Sequence, residues 1–264
     1  MHDAPPEVDL PAPYRPLRQL GGGGVATVHE VLDPRTGERV ALKLWRQPLT
    51  RHTAERFRRE VELMQSLHHP HVVRALDMGM VPRPWVVMPL LTDSWHRRLR
   101  GEGPVPARRA LTVARDVLEG LTALHALGVV HRDLKPSNLL LDAAGRTVVA
   151  DLGIVRAHDS ELTRTDAMVG SPLYMAPEQR RDPRSVGPRA DLYGLGACLW
   201  ALTVGRNPPD LSLLPLRPSL ADKLPEPVRE VVLGAVHRLP DDRFSSAWAM
   251  AEAVSAALSV AGGT

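Results

Sequence analysis

Apolar positions follow two different rhythms along this chain. Between Tyr14 and Pro89 they come in short strand-like runs, Thr27 to Leu32, Val40 to Trp45, Val72 to Met78 and Trp85 to Met88, around one helical stretch from Thr53 to Leu67. This predicts a small, strand-rich lobe over 14–89 with a single main helix. A connecting hinge follows at 90–93, and from there the rhythm is helical: Arg108 to Leu127 is long and amphipathic, and further helices are expected over Arg189 to Val204, Pro227 to His237 and Ser246 to Leu258. These make a larger helical lobe over 94–258, so the fold class is α+β. Leu192 to Val204 is apolar nearly all round, which puts that helix in the middle of its lobe. Residues 1–13 carry repeated proline and little apolar content and read as a disordered leader, while 259–264 read as a flexible tail. No repeat recurs at a period of roughly 20 to 50 residues, which excludes solenoid architectures.

Composition narrows the function classes. With 44% hydrophobic residues among 264, the chain can bury a substantial core. The longest nearly uncharged run, Leu192 to Gly205, is shorter than the roughly 20 residues a membrane span needs, so no membrane partner is expected and a cytoplasmic location is. Cys198, the single cysteine, lies inside that run; an intramolecular disulfide is excluded and core packing is expected. The formal charge of +3 does not imply a nucleic-acid partner, because arginines and acidic residues are interspersed and the stretch from Arg97 to Arg109 reads as a solvated helix face and loop. His68, His69 and His71 lack the further ligand that a tetrahedral zinc site needs. Lysine is rare: Lys43, Lys135 and Lys223 stand against a large number of arginines.

Three segments carry chemistry. Leu20 to Val28 reads LGGGGVATV, and Gly21, Gly22, Gly23 and Gly24 let backbone N–H groups approach a polyphosphate without Cβ atoms in the way, though a flexible hairpin tip reads the same. Lys43 follows in VALKLW, where alternation puts it on one face with Ala41. Glu60 lies three residues after Phe57 and four before Met64, on the inward face of the predicted helix, where a carboxylate needs a cation that Lys43 can supply. His131 to Asn138 reads HRDLKPSN and is followed, after a short strand-like run, by Asp151-Leu152-Gly153. In that combination Asp133 can accept the proton of an attacking hydroxyl, Lys135 can neutralise a γ-phosphate, and Asn138 with Asp151 can hold magnesium through oxygen.

With these motifs the chain resembles the bacterial branch of the eukaryotic-type (Hanks-type) serine/threonine protein kinases, over Tyr14 to Leu258. The resemblance implies a two-lobed fold with ATP in the cleft, the glycine turn above it and HRDLKPSN below, and ATP with magnesium or manganese as the cofactors. It implies that Lys43 and Lys135 are the two functional lysines, where a planar guanidinium cannot replace a compact ammonium. It also implies that Met88 guards the back of the adenine pocket, that the Pro89 carbonyl and Leu91 amide meet the adenine edge, and that Leu140 forms the floor under the base, with Val28 and Ala41 as its roof. Ala176-Pro177-Glu178, Asp191 and Arg243, the expected buried partner of Glu178, complete it in structural roles.

The departures are modest. Ala26 stands for the third glycine of the usual loop, Leu152 for a commoner Phe, and Ser171 for the Thr of the substrate cleft; none removes a catalytic group. The segment from Gly205 to Pro225 is short and rich in Pro and Leu where related kinases have a docking helix. A pseudokinase would lack Lys43, Asp133, Asn138 or Asp151, and a small-molecule phosphotransferase would lack the 176–178 motif, so protein substrates are expected as partners. Arg132, beside the candidate base, has no carboxylate partner evident in the sequence. Thr163 and Thr165 in LTRTDAM are the candidate autophosphorylation sites that would satisfy it, with self-association for phosphorylation in trans.

Overall fold

The computed structural model describes residues 10–91, 93–152, 172–182 and 186–261. The chain divides into two compact units: residues up to His69 together with Val73–Leu91, and Pro70–Val72 together with the residues from Thr92 onward.

The first unit is a five-stranded antiparallel sheet in the order β1-β2-β3-β5-β4, with β1 at Arg15–Gly22, β2 at Ala26–Asp33, β3 at Glu38–Trp45, β4 at Asp77–Gly79 and β5 at Trp85–Pro89. Helix α1, Arg51–Ser66, follows β3. Residues directly opposite one another in a ladder share a face, and here the two faces do different work. One carries the apolar cluster of Val31, Val40, Leu42, Leu44, Trp85 and Val87, closed at its edge by Tyr14, whose ring meets Trp85 at 5.6 Å. Leu10, within the expected leader, packs against this cluster. The other face carries Val28, Ala41, Lys43 and Met88, through the pairings Val28 with Lys43 and Ala41 with Met88. Trp45 shares this second face and meets Phe57 of α1 edge-on at 5.1 Å, so α1 lies on the Lys43 side of the sheet. The helix begins at Thr50, whose side chain accepts from the Thr53 amide, and buries Phe57, Val61 and Met64.

Two elements differ from the sequence reading. Strand β1 is exposed along most of its length and so has no apolar alternation to announce it. The run from Val72 to Met78 is a strand only at Asp77–Gly79. Its backbone is divided among partners: Ala75 N–H donates to the Met64 carbonyl of α1, Leu76 N–H to Val87 of β5, and Val72 bridges Val149 in the second unit.

The second unit is helical, with α2 at Trp95–Glu102, α3 at Ala107–Ala126, α4 at Pro177–Arg181, α5 at Arg189–Val204, α6 at Pro218–Ala221, α7 at Glu226–Ala235 and α8 at Ala247–Val260. A small sheet of order β6-β7-β8 joins Asp93–Ser94, Leu139–Leu141 and Thr147–Val149. Every residue of α5 from Ala190 to Leu202 is buried, as its all-round apolar sequence implies. It ends at Gly205, which takes the left-handed conformation at φ +77° and donates to the Ala201 carbonyl. The short segment after it forms a 3₁₀ helix at Leu211–Leu216 and the four-residue α6. Among the described residues no helix is long and apolar enough to cross a membrane. A sheet-rich first unit and a helical second unit make this an α+β fold.

Candidate active site

The loop between α3 and β7 carries His131 to Asn138, and its backbone is held from below by α5. Asp191, in the first turn of α5 and buried, accepts from the amides of His131 at 2.9 Å and Arg132 at 2.8 Å, and its Oδ2 also meets His125 Nε2 at 2.8 Å. This clamp coincides with unusual geometry: Arg132 has φ +66°, a region that residues with a Cβ seldom occupy and that persists only where neighbours over-determine it. The buried His131 ring meets the Ala150 carbonyl through Nε2 at 3.0 Å and the Asp133 amide through Nδ1 at 3.2 Å. Both contacts are satisfied together only by a neutral imidazole with its proton on Nε2.

Two of the expected functional side chains converge on the carboxylate of a third. Asp133 is 5% exposed, and its Oδ2 lies 2.9 Å from Lys135 Nζ and 3.0 Å from Asn138 Nδ2. Asn138 donates also to the Asp133 carbonyl at 2.8 Å, and its Oδ1 accepts from the Ser137 hydroxyl at 3.4 Å. The Asn138 carbonyl accepts from Ala150 N–H, so Asn138 sits across the β7–β8 ladder from the residue before Asp151. Asp151 has φ +62°, a conformation that Asp tolerates better than most residues. Asn138 and Asp151 are hard oxygen donors of the kind magnesium takes when phosphates fill its remaining positions. Among the described residues no group of three or more His, Cys, Asp or Glu side chains is placed to hold a metal ion. His71 Nδ1 pairs with the Thr147 carbonyl at 2.8 Å.

In the first unit, Leu20 sits at an irregularity of β1, Gly21 and Gly22 are the last residues of that strand, and Gly23 and Gly24 form the turn, where Gly23 N–H donates to the Ala26 carbonyl. A Cβ on Gly21 or Gly23 would meet no protein atom within 4 Å, so the protein's own packing does not require glycine there. Lys43 is half-buried on β3, its Nζ 5.0 Å from the centre of the Trp45 ring. Glu60, half-buried, lies on the α1 turn after Phe57. Met88 is half-buried and Pro89 exposed at the end of β5, Leu91 is half-buried just beyond, and Leu140 is half-buried on β7 of the second unit. Gly153, Thr163, Thr165 and Ser171 lie outside the described residues.

Beneath the loop, Arg243 meets Glu178 of α4 in a two-pronged ion pair with both contacts at 2.7 Å, as the resemblance implies. All five N–H donors of Arg243 find acceptors, since its remaining bonds reach the carbonyls of His237, Arg189 and Arg238. Its guanidinium also stacks 5.1 Å from the Tyr193 ring. Burial pushes the Cys198 thiol far above the ordinary range, with the nearby Asp133 charge adding to the shift, so this cysteine is core and not a nucleophile.

Two contributors are absent from the sequence reading, His125 and Gln179. Gln179 Nε2 donates to the Arg132 carbonyl across 47 residues of chain, a separation at which no local pattern exists to find it. Its only sequence cue is its place directly after Glu178.

Comparison with known proteins agrees with this geometry. A protein kinase domain model matches residues 14–212. The DNA damage-responsive serine/threonine-protein kinase RqkA of Deinococcus radiodurans is 38% identical over 257 residues, covering 90% of this chain and 38% of that protein. Serine/threonine-protein kinase PknL of Mycobacterium tuberculosis is 34% identical over 258 residues, covering 91% and 64%, and PknB of Mycobacterium leprae is 33% identical over 251 residues, covering 86% and 40%. The chain therefore spans 38% to 64% of the length of these relatives. With the matched domain extending over most of its length and the loop geometry described above, the chain belongs to the protein kinase domain family, in its bacterial serine/threonine branch.

Proposed function

We propose that this chain transfers the γ-phosphate of ATP to serine and threonine hydroxyls of proteins. The observation that carries the reading is the convergence of Lys135 Nζ and Asn138 Nδ2 on one oxygen of the buried Asp133 carboxylate. A carboxylate so held is oriented, and it can accept the proton of an incoming hydroxyl as that oxygen attacks phosphorus. Lys135, bound to the base, is placed to neutralise charge on the phosphoryl group being transferred. Asn138 Oδ1 and the Asp151 carboxylate would hold magnesium or manganese, which supplies charge neutralisation on the phosphates.

In the first unit, the glycine turn would hold the phosphates, and Lys43, kept in place by Glu60, would pair with them. Support comes from the empty space around Gly21 and Gly23, and from α1 packing on the Lys43 face of the sheet. On the first unit the adenine would rest among Leu20, Val28, Ala41, Met88, Pro89 and Leu91. Protein substrates are the partners, with Ser171 in the substrate cleft. Among the described residues Nε of Arg132 is buried without a hydrogen-bond partner, which supports phosphorylation at Thr163 or Thr165, by a second copy acting in trans, as a source of anionic acceptors for this cation.

The test is transfer from labelled ATP to a general acceptor protein in the presence of magnesium, followed by phosphoamino-acid analysis. Label on serine and threonine that disappears in excess chelator and returns with magnesium or manganese is expected. Undiminished labelling in chelator would contradict the reading.

A further inference from the structure

Two peptide groups meet at Arg132, and side chains from other elements hold both. The group before it offers the Arg132 N–H to Asp191 Oδ1 at 2.8 Å. The group after it, which leads directly into Asp133, offers its carbonyl to Gln179 Nε2 and its N–H to the His131 ring. With φ at +66°, Arg132 would relax toward a commoner conformation if either hold were lost, and the next atoms to move would be those of Asp133.

Gln179 hangs from a fixed frame. The residue before it, Glu178, is tied by both carboxylate oxygens to Arg243, whose side chain is fully buried and whose donors are all engaged. The cavity beside the contact, lined by Arg132, Asp133, Gln179 and Asp191 among others, measures about 10 Å³. That is room for at most one water, so solvent cannot freely take over the role of the amide.

We propose that Gln179 is a positioning residue for phosphoryl transfer: by donating to the Arg132 carbonyl it fixes the peptide group that carries Asp133 and so sets the aim of the base. This rests on the transfer reading given under Proposed function. The amide links α4, at the end of the segment that begins with Asp151, to the backbone of the catalytic loop.

The full chain is assayed with ATP, magnesium and casein as acceptor, as wild type, Gln179→Leu and Gln179→Glu. Leucine keeps the volume and removes the donor; kcat is expected to fall roughly 10- to 100-fold while KM for ATP changes less than about twofold, because misaimed groups lose rate and not ground-state binding. Glutamate adds a readout that packing alone would not move. An ionised carboxylate cannot donate to a carbonyl, whereas a protonated carboxyl can. The introduced group would face Arg132 and Asp133 on the loop, Asp191 on α5, and Glu178 with Arg243; the three carboxylates raise its pKa and the two guanidiniums lower it. The ratio of its kcat to that of wild type is expected to rise as pH is lowered from about 7 to about 5, toward the ordinary carboxyl range. Wild-type kcat in Gln179→Leu, or a ratio flat with pH in Gln179→Glu, overturns the proposal. If Gln179→Leu does not fold, the pH ratio decides alone. Inactive wild type would overturn the transfer reading itself, whereas active wild type with unaffected variants overturns this inference only.

Discussion

At the residue scale, the loop that carries Asp133 is held by side chains from other elements of the fold. Arg243 satisfies five acceptors from a fully buried position, and an ammonium could neither reach them all nor stack on Tyr193 as a planar group does. Arg243→Ala would strand the Glu178 carboxylate and three carbonyls, and breaking a buried pair from one side costs roughly 3 to 5 kcal/mol. For a domain of this size that is a melting temperature lower by roughly 6 to 20 °C. A scan within about 2 °C of wild type would show that the network carries little stability. Cys198 allows a second expectation. Burial holds its thiol protonated at neutral pH, so maleimide should label it in denaturant and not in the native protein; equal labelling rates in both would place it at an accessible site. What was legible at this scale was whatever lies close in sequence. Asp133, Lys135 and Asn138 fall within one short motif, and their chemistry follows from their spacing. Gln179 acts on that motif across 47 residues of chain, and His125, only a short way before the motif, meets it through Asp191, a partner that no local spacing announces.

At the element scale, two glycines show how packing and intrinsic helix preference separate. Gly120 lies mid-way along α3, where a Cβ would stand 2.7 Å from the His71 carbonyl oxygen. That close approach lets Pro70–Val72 lie against α3, with His71 accepting from Val149 N–H at 2.9 Å. Gly101, near the end of α2, has nothing within 4 Å of the same point. Gly120→Ala is therefore expected to destabilise by roughly 1 to 3 kcal/mol through overpacking against backbone. Gly101→Ala should stabilise by about 0.5 to 1 kcal/mol through helix preference alone. Urea unfolding midpoints measure both, and changes of equal sign would contradict the distinction. The same contrast explains which elements could be read in advance. Helix α5 is apolar throughout and stopped by Gly205, so its limits follow from its own residues. Strand β6 is two residues long and exists only because Leu140 and Leu141 pair with it. The 70–72 segment joins the second unit through Val149, a partner no strand-like run can announce.

At the scale of the whole molecule, charge shapes stability in acid. Hydrogen bonds from Arg18 and Arg39 hold the Glu30 carboxyl below its ordinary range, and Arg35 does the same for Asp33. A carboxyl whose folded value is depressed contributes stability above its unfolded value and loses it as pH falls through the folded one. Melting temperature should accordingly be nearly level from about pH 7 to about 5 and fall below about 4, where unfolded carboxylates begin to bind protons and folded ones do not. A melting temperature constant down to about pH 3 would contradict these assignments.

The central claim, that a buried and oriented Asp133 activates the hydroxyl of a protein substrate, is tested most directly by comparing wild type with Asp133→Asn in single-turnover transfer from ATP·magnesium to an acceptor protein. Asparagine keeps the shape and can still accept from Asn138 and lie beside Lys135, but it cannot take a proton. The transfer rate should fall roughly 10²- to 10⁴-fold with ATP affinity nearly unchanged. A variant that transfers phosphate as fast as wild type would contradict the account.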